Sequence, residues 1–360
     1  MKKSKWMLTV ALVVLFLFPV GALAEPITIN WWHAHGGRLG ELVNGIADGF
    51  NKSQNTYKLV ATYKGNYADT MTAGIAAYRS KNPPHILQVF EVGTATMMAA
   101  KGAIKPVYEV MAESGIPFDP EAYLPTVTGY YTSREGKMLS MPFNSSTPIL
   151  WYNVEAFKKA GLDPDKPPKT WPEVAEYSKK LVAAGYGGGF STSWISWIHF
   201  ENFSAWHNVP FGTKENGFGG LDTEFVYNSP LHVKHIQFEF RTGMLPYWPD
   251  VSGAPQNTII GGASLWVLQG HPAEEYKGVA AFFTYLSSPA VQAEWHKATG
   301  YLPITKAAYD LAKDQGFYEE DPGMETALKQ MLLNKPTANS KGMRFGNFLQ
   351  VRSINYDTLE

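Results

Sequence analysis

The sequence predicts an α/β protein built as two lobes joined by crossing strands. Apolar runs alternate with amphipathic helical repeats through the first hundred residues. A strand-like segment near residue 140 then interrupts the rhythm, and a second series begins. The length of 360 residues, 45% of them hydrophobic, supplies core for about two domains.

Residues 27–32 read as a strand bounded by Gly36 and Gly37. Leu39, Leu42, Val43, Ile46, Ala47 and Phe50 then recur on one helical face. Residues 57–63 form the next strand, 64–67 a loop, and 69–79 a helix ended by Asn82-Pro83-Pro84. Residues 86–90 are a short buried strand with Glu91 at its carboxyl end, and 94–101 are helical again. This β-α-β-α-β rhythm predicts a mainly parallel sheet with helices on both faces. Ligands of such sheets sit beyond the carboxyl ends of the strands, where Tyr67 and Glu91 lie.

Residues 138–143 read as a crossing strand and hinge, 149–152 as a strand, and 154–160 as a helix closed by Gly161. Thr170-Trp171-Pro172-Glu173 is a capping box that opens a helix over 171–184. Gly187-Gly188-Gly189 marks a turn. The aromatic-rich stretch 194–206 is partly helical, 258–262 is an apolar strand running into Gly261-Gly262, and 276–286 is a helix. The expected division is a first lobe of 25–141 with 257–300, and a second of 142–256 with 301–360.

Before them, residues 1–24 have the form of a secretory signal. Lys2, Lys3 and Lys5 precede an apolar core too short for a membrane span of ~20 residues. Ala22-Leu23-Ala24 offers a small-x-small cleavage site, so the mature chain is expected to start at Glu25. The chain contains no cysteine, which excludes disulfides, a catalytic thiol and a lipid-modified anchor cysteine. A free secreted protein of this kind is expected in a periplasm. The net charge is −1 before removal of the three lysines, and no nucleic-acid partner is expected.

No metalloprotease, nucleophile-elbow or P-loop motif is present. His33-x-His35 offers two metal ligands without a third, so solvent-facing histidines are the expectation and no metal or cofactor is predicted. Glu91 can accept from two hydroxyls of a polyol or cap the helix that follows. Asn144-Ser145-Ser146-Thr147 can form an anion-binding concavity or an ordinary polar loop. Trp194-x-x-Trp197 places two indoles on one helical face, as core or as the floor of a cleft. Gly261-Gly262 permits close backbone approach or makes a plain turn. Arg352 can fork onto a phosphate or serve as a surface charge.

The run YNVEAFKKAGLDPDKPPKTW resembles the maltose-binding-protein-like class of ABC importer binding proteins. TYKGNY, ILQVFEVGTATMMAAKGAIKPVY, PFNSSTPIL, ENFSAW, APQNTIIGGASLWV and TGYLPITKAAYDLAKDQGFYE resemble, more narrowly, the periplasmic sn-glycerol-3-phosphate-binding family of Ugp importers. That resemblance implies a two-lobed periplasmic binding protein fold with hinge strands. It also implies a monomer without enzymatic activity that binds glycerol-3-phosphate, accepts glycerophosphodiesters and serves membrane permease subunits. In the family's pattern Tyr67 and Glu91 hold the glycerol end, Ser146 contacts ligand, and Trp194 and Trp197 line the pocket. Gly262, Tyr301 and Arg352 match the remaining binding positions.

Two departures stand out. After Ile236 the chain passes almost directly to Gly243-Met244-Leu245-Pro246, where the family carries a further stretch larger than one βαβ unit, including a phosphate-binding serine. Relatives also extend past the position of Glu360. An incomplete second lobe with exposed apolar surface and sheet edge is therefore expected. The rival readings are a same-fold binder of another sugar or polyol, a degraded relative that binds nothing, and a periplasmic hydrolase.

Overall fold

The computed structural model describes residues 25–359 except 101, 221, 237–246 and 321. The expected signal segment, 1–24, and the junction at 237–246 lie outside the described residues.

A five-stranded sheet organises the first lobe, in the order β2-β1-β3-β5-β4. Its strands are β1 (Ile27–His33), β2 (Tyr57–Tyr63), β3 (Ile86–Phe90), β4 (Met141–Ser146) and β5 (Gly261–Val267). β1 runs parallel to β2 and β3, while β5 is antiparallel to both β3 and β4. Four strands thus point one way and only β5 is reversed. Their carboxyl ends, with the start of β5, form one rim.

Helices cover both faces. The helix Tyr67–Arg79 brings Gly74 against Leu87, and Ala273–Leu286 brings Gly278 against Ile29. Leu87 shares a face with Trp32 in the β1–β3 register, whereas Ile29 points to the other face. Within the core, Trp31 meets Phe143 edge-on at 5.3 Å and Phe282 at 5.3 Å.

Local signals placed most of these elements. β2 and β3 match the expected spans. Asn66 accepts from Asp69 N–H in a reciprocal capping box, which moves the helix start two residues earlier than expected, to Tyr67. The Thr170–Glu173 capping box also forms and opens the helix Trp171–Ala183.

Three expected strands differ. The crossing strand falls at Met141–Ser146, because Met138 instead bridges Thr132 across a turn. Residues 149–152 form no strand: Pro148 removes a donor, nothing pairs there, and Trp151 is left 66% exposed. The strand expected at 258–262 begins rather than ends at the glycine pair, because Ala263–Val267 are the residues that pair with β3.

The chain adopts the two-lobed α/β periplasmic-binding-protein fold. Apart from β4, which crosses the expected lobe boundary, the second lobe holds among the described residues only isolated bridges such as Thr170–Tyr247 and Gly212–Phe225. It is helical, with two small cores of its own. One joins Phe157, Leu162 and Leu181; the other joins Trp171, Val174, Phe203 and Trp248. Val154, Val182 and Trp151 remain exposed on it.

Candidate functional site

The rim of the sheet collects polar side chains that the register places side by side. Tyr67 opens the helix after β2, Glu91 follows β3, Ser146 ends β4, and Gly262 stands at the start of β5. Ser146 pairs with Gly261 and Ser145 with Gly262.

Asn144 holds the centre. Its Nδ2 donates to the Tyr67 hydroxyl at 2.8 Å, and its Oδ1 accepts from Gln88 Nε2 at 2.9 Å. Gln88 Nε2 also donates to His35 Nε2 at 2.9 Å, and Gln88 Oε1 accepts from Ala34 N–H at 2.7 Å. The Tyr67 ring stacks on Phe90 with planes 2° apart. Burial pushes the Tyr67 hydroxyl far up, so it remains a neutral donor.

Tyr301 reaches the same place by another route. Leu302 N–H donates to Ser145 O at 2.6 Å and ties the loop after the helix Pro289–Thr299 to β4. Tyr301 stacks on Trp295 with planes 6° apart and interacts with the Tyr67 hydroxyl.

Gly262 has φ +107°, and a Cβ there would lie 2.0 Å from Asn144 O. Glycine is therefore dictated by the close β4–β5 approach as well as by any ligand. A Cβ on Gly261 would strike the Trp197 ring at 2.4 Å, so Trp197 packs flat on this backbone. Trp197 is buried, and its Nε1 has no partner among the described residues. Trp194 lies outside the helical turn expected for the pair, with φ +54° and 61% exposure. The two indoles still meet at 5.6 Å.

The charged part of the site is a buried triad. Arg352 Nη1 donates to Glu91 Oε1 at 2.7 Å. Its Nε and Nη2 grip Glu201 at 3.0 and 2.6 Å. Burial pushes the Glu91 carboxyl up while Arg352 pulls against that shift, and the two carboxylates hold Arg352 well above its usual range despite burial. Glu91 makes no side-chain cap to the helix Thr94–Ala99, so the capping alternative is set aside. The fork expected for phosphate at Arg352 is engaged by Glu201. Arg352 lies on the helix Phe348–Leu359, between buried Phe348 and Asn355.

Sequence reasoning missed Gln88, Glu201 and the linking role of Asn144. The available signal was a polar residue inside an apolar run: Gln88 in ILQVF, Glu201 in WIHFENF. A buried polar group needs partners, and each of these has them.

His33 and His35 are buried rather than solvent-facing, at 2% and 5% exposure, because they line the inner face of β1 and its exit. Burial lowers both to about 4. Among the described residues the only metal-type cluster is His85, His271 and Glu275. His85 Nδ1 accepts Asn30 N–H at 3.0 Å, which puts the ring proton on Nε2, facing Glu275 at 2.7 Å. A metal at that nitrogen would have to displace the proton and disrupt this arrangement.

Comparison with known proteins decides the family. Residues 36–253 match the model of the bacterial extracellular solute-binding proteins, and 222–326 match a second model of the same description. The chain belongs to the bacterial extracellular solute-binding protein family. It is 49% identical to the sn-glycerol-3-phosphate-binding periplasmic protein UgpB of Yersinia pestis, over 98% of this chain and 90% of that protein. Identity to UgpB of Escherichia coli K12 is 48%, over 98% and 91%. Solved structures similar in fold include the cyclic α-maltosyl-1,6-maltose-binding protein of Arthrobacter globiformis, with TM-score 0.71, 20% identity and 93% of both chains covered. Another is UgpB of Mycobacterium tuberculosis with glycerophosphocholine, with TM-score 0.68 and 20% identity, covering 94% of this chain and 92% of that one. Family membership places this solute-binding protein outside the cytoplasm.

Proposed function

We propose that this solute-binding protein serves an ABC importer and takes sn-glycerol-3-phosphate and glycerophosphodiesters between its lobes. The observation that carries the reading is near-half identity over almost the whole chain to proteins named for sn-glycerol-3-phosphate binding. The rim agrees with it chemically. The Tyr67 and Tyr301 hydroxyls and the Glu91 carboxylate suit a polyol. Arg352, Ser146 and the β4–β5 backbone supply donors for a phosphate, and Trp197 and Trp194 offer apolar faces to carbon chains or a cationic head group. We place the ligand contacts at Tyr67, Glu91, Ser146, Trp194, Trp197, Gly262, Tyr301 and Arg352.

The lobes, 25–141 with 257–300 and 142–256 with 301–360, close on the ligand, and the closed form is read by permease subunits. β4 continues the first-lobe sheet through Ser146, which supports hinge strands at that boundary. The protein works as a periplasmic monomer released by cleavage after Ala24, and it performs no catalysis: both site carboxylates are tied to one guanidinium.

A second reading is a relative weakened by loss of sequence. The Yersinia pestis alignment runs over 399 positions against 360 residues here, so at least 39 positions have no counterpart in this chain. Calorimetric titration with glycerol-3-phosphate, glycerophosphocholine and maltose separates the readings. Saturable heat with the first two and none with maltose is expected. Heat with maltose alone, or with none of the three, overturns the proposal.

A further inference from the structure

Glu201 is fully buried, yet it carries the bidentate half of the triad. Its placement depends on an unusual piece of helix. Ser196–Asn202 winds as a π-helical turn, whose i→i+5 spacing sets Ser196 over Glu201. Ser196 Oγ donates to Glu201 Oε1 at 3.2 Å, Asn355 Nδ2 donates to Ser196 Oγ at 3.0 Å, and Tyr227 donates to Asn355 Oδ1 at 3.2 Å. A rare local geometry and a relay of hydrogen bonds thus fix this one carboxylate.

The charge count gives the consequence. Two carboxylates and one guanidinium leave the triad with one net negative charge. A guanidinium has five N–H donors, and the three bonds to Glu91 and Glu201 leave two. Of the three side chains, Arg352 is the most exposed, at 11% against 5% for Glu91 and 0% for Glu201. A ligand phosphate therefore meets Arg352 with Glu201 behind it, and Glu201 acts on the ligand through distance and charge rather than by contact.

We infer that Glu201 is a specificity-determining residue whose charge disfavours dianionic phosphomonoesters relative to monoanionic phosphodiesters. This rests on the glycerophosphate reading above. A fixed negative charge acts twice as strongly on a dianion as on a monoanion. At an effective dielectric of about 20 and roughly 7 Å, the spacing of two groups bonded to one guanidinium, one extra unit of charge changes affinity by at least about tenfold.

The test uses the full mature chain. Glycerol-3-phosphate and its monoanionic monomethyl ester are titrated at pH 7.5 into the wild type, Glu201→Gln and Glu201→Asp, with glycerophosphocholine, a zwitterion, titrated into the wild type as a check on the underlying reading. Glu201→Gln should shift the affinity ratio by at least about tenfold toward glycerol-3-phosphate. Glu201→Asp, which keeps the charge, should leave the ratio unchanged even where both affinities fall. Equal losses for both ligands in Glu201→Gln would reduce Glu201 to a structural role and overturn the inference. Should Glu201→Gln fail to fold, the wild type decides. The monomethyl ester of glycerol-3-phosphate, a monoanion of nearly the same size, should bind more tightly than the parent dianion, and the reverse order overturns the inference. A wild type that binds neither glycerol-3-phosphate nor glycerophosphocholine sinks the underlying reading as well, which a failure confined to the ratio does not.

Discussion

Asn144 Nδ2 donates to the Tyr67 hydroxyl at 2.8 Å, joining β4 to the helix that follows β2. The bond spans three strands of the sheet and fixes the direction in which the tyrosine hydroxyl can point. Gln88, on β3 in the middle of those three, occupies the other end of the same amide.

Replacing Asn144 with Leu should therefore do two things. It leaves one Gln88 Nε2 hydrogen without an acceptor and removes the donor to Tyr67, so stability should fall by about 1–3 kcal/mol, the cost of an unsatisfied buried polar group. Chemical denaturation measures this. Tyr67→Phe should leave Gln88 satisfied and cost less; equal losses for the two variants would show that the amide relay contributes nothing.

Glu91→Gln should weaken glycerol-3-phosphate binding more than Glu41→Gln does. Glu91 is buried against Arg352 at the rim, whereas Glu41 is exposed on the flank of the helix Gly37–Ser53. Loss of a charged hydrogen bond costs roughly 1.5–3 kcal/mol. Isothermal titration of both variants is the measurement, and matching affinities would remove Glu91 from the site.

Gly262→Ala should destabilise the fold by about 3 kcal/mol or more. The added methyl meets Asn144 O while φ stays in the left-handed region. Gly187 is a suitable control, since a Cβ there meets nothing within 4 Å, and Gly187→Ala should change stability by less than about 0.5 kcal/mol. Thermal melts of the pair check the contrast.

Stability should fall as the pH drops from about 6.5 toward 4. Burial lowers His33, His35, His207 and His232 to about 4 and His199 to about 3. The unfolded chain, whose histidines titrate near 6.5, binds more protons than the native state throughout that interval, so acid favours unfolding. Each group adds up to about 1.4 kcal/mol per pH unit inside the window and nothing above it. His207 shows why neutrality is required: its Nδ1 donates to Phe203 O while Nε2 accepts Trp248 N–H at 2.8 Å. Melting temperatures at pH 7.5, 6 and 5 should be lowest at pH 5, and His207→Gln should flatten the trend slightly.

The parts of the fold legible in the sequence were those set by local chemistry. Short strand-like runs bounded by loop residues marked β2 and β3, a helical period marked the first helix, and the Thr170 capping box named its own helix. What stayed hidden was non-local. The register that brings Ser146 beside Gly261 and the loop bond from Leu302 to Ser145 depend on residues far apart in the chain. Glu201 gave no reading because its partner lies 151 positions away, at Arg352. A carboxylate with no visible partner in sequence is ambiguous; only the folded chain shows which cation neutralises it.

The last prediction concerns the sequence absent near residue 236. Glycerol-3-phosphate should bind this chain more weakly than it binds a variant with the gap restored from a relative. At least 39 alignment positions lack a counterpart here, and the sequence pattern puts the junction between Ile236 and Gly243. A lost hydrogen bond to a charged phosphate costs roughly 1.5–3 kcal/mol, or about tenfold to a hundredfold in affinity per contact. The proposed contacts at Tyr67 and Glu91 do not use that segment: the Asn144 relay holds Tyr67, and Arg352 holds Glu91. Residual binding should therefore persist while lobe closure suffers more, because closure is driven only by contacts that favour the closed state. Calorimetry gives the affinity and small-angle scattering with and without ligand gives the closure. The restored variant should gain at least tenfold in affinity and a larger ligand-induced compaction. Identical affinity and compaction in both chains would mean that the missing stretch contributes nothing to the site, or that Arg352, Ser146 and the β4–β5 backbone already satisfy the phosphate.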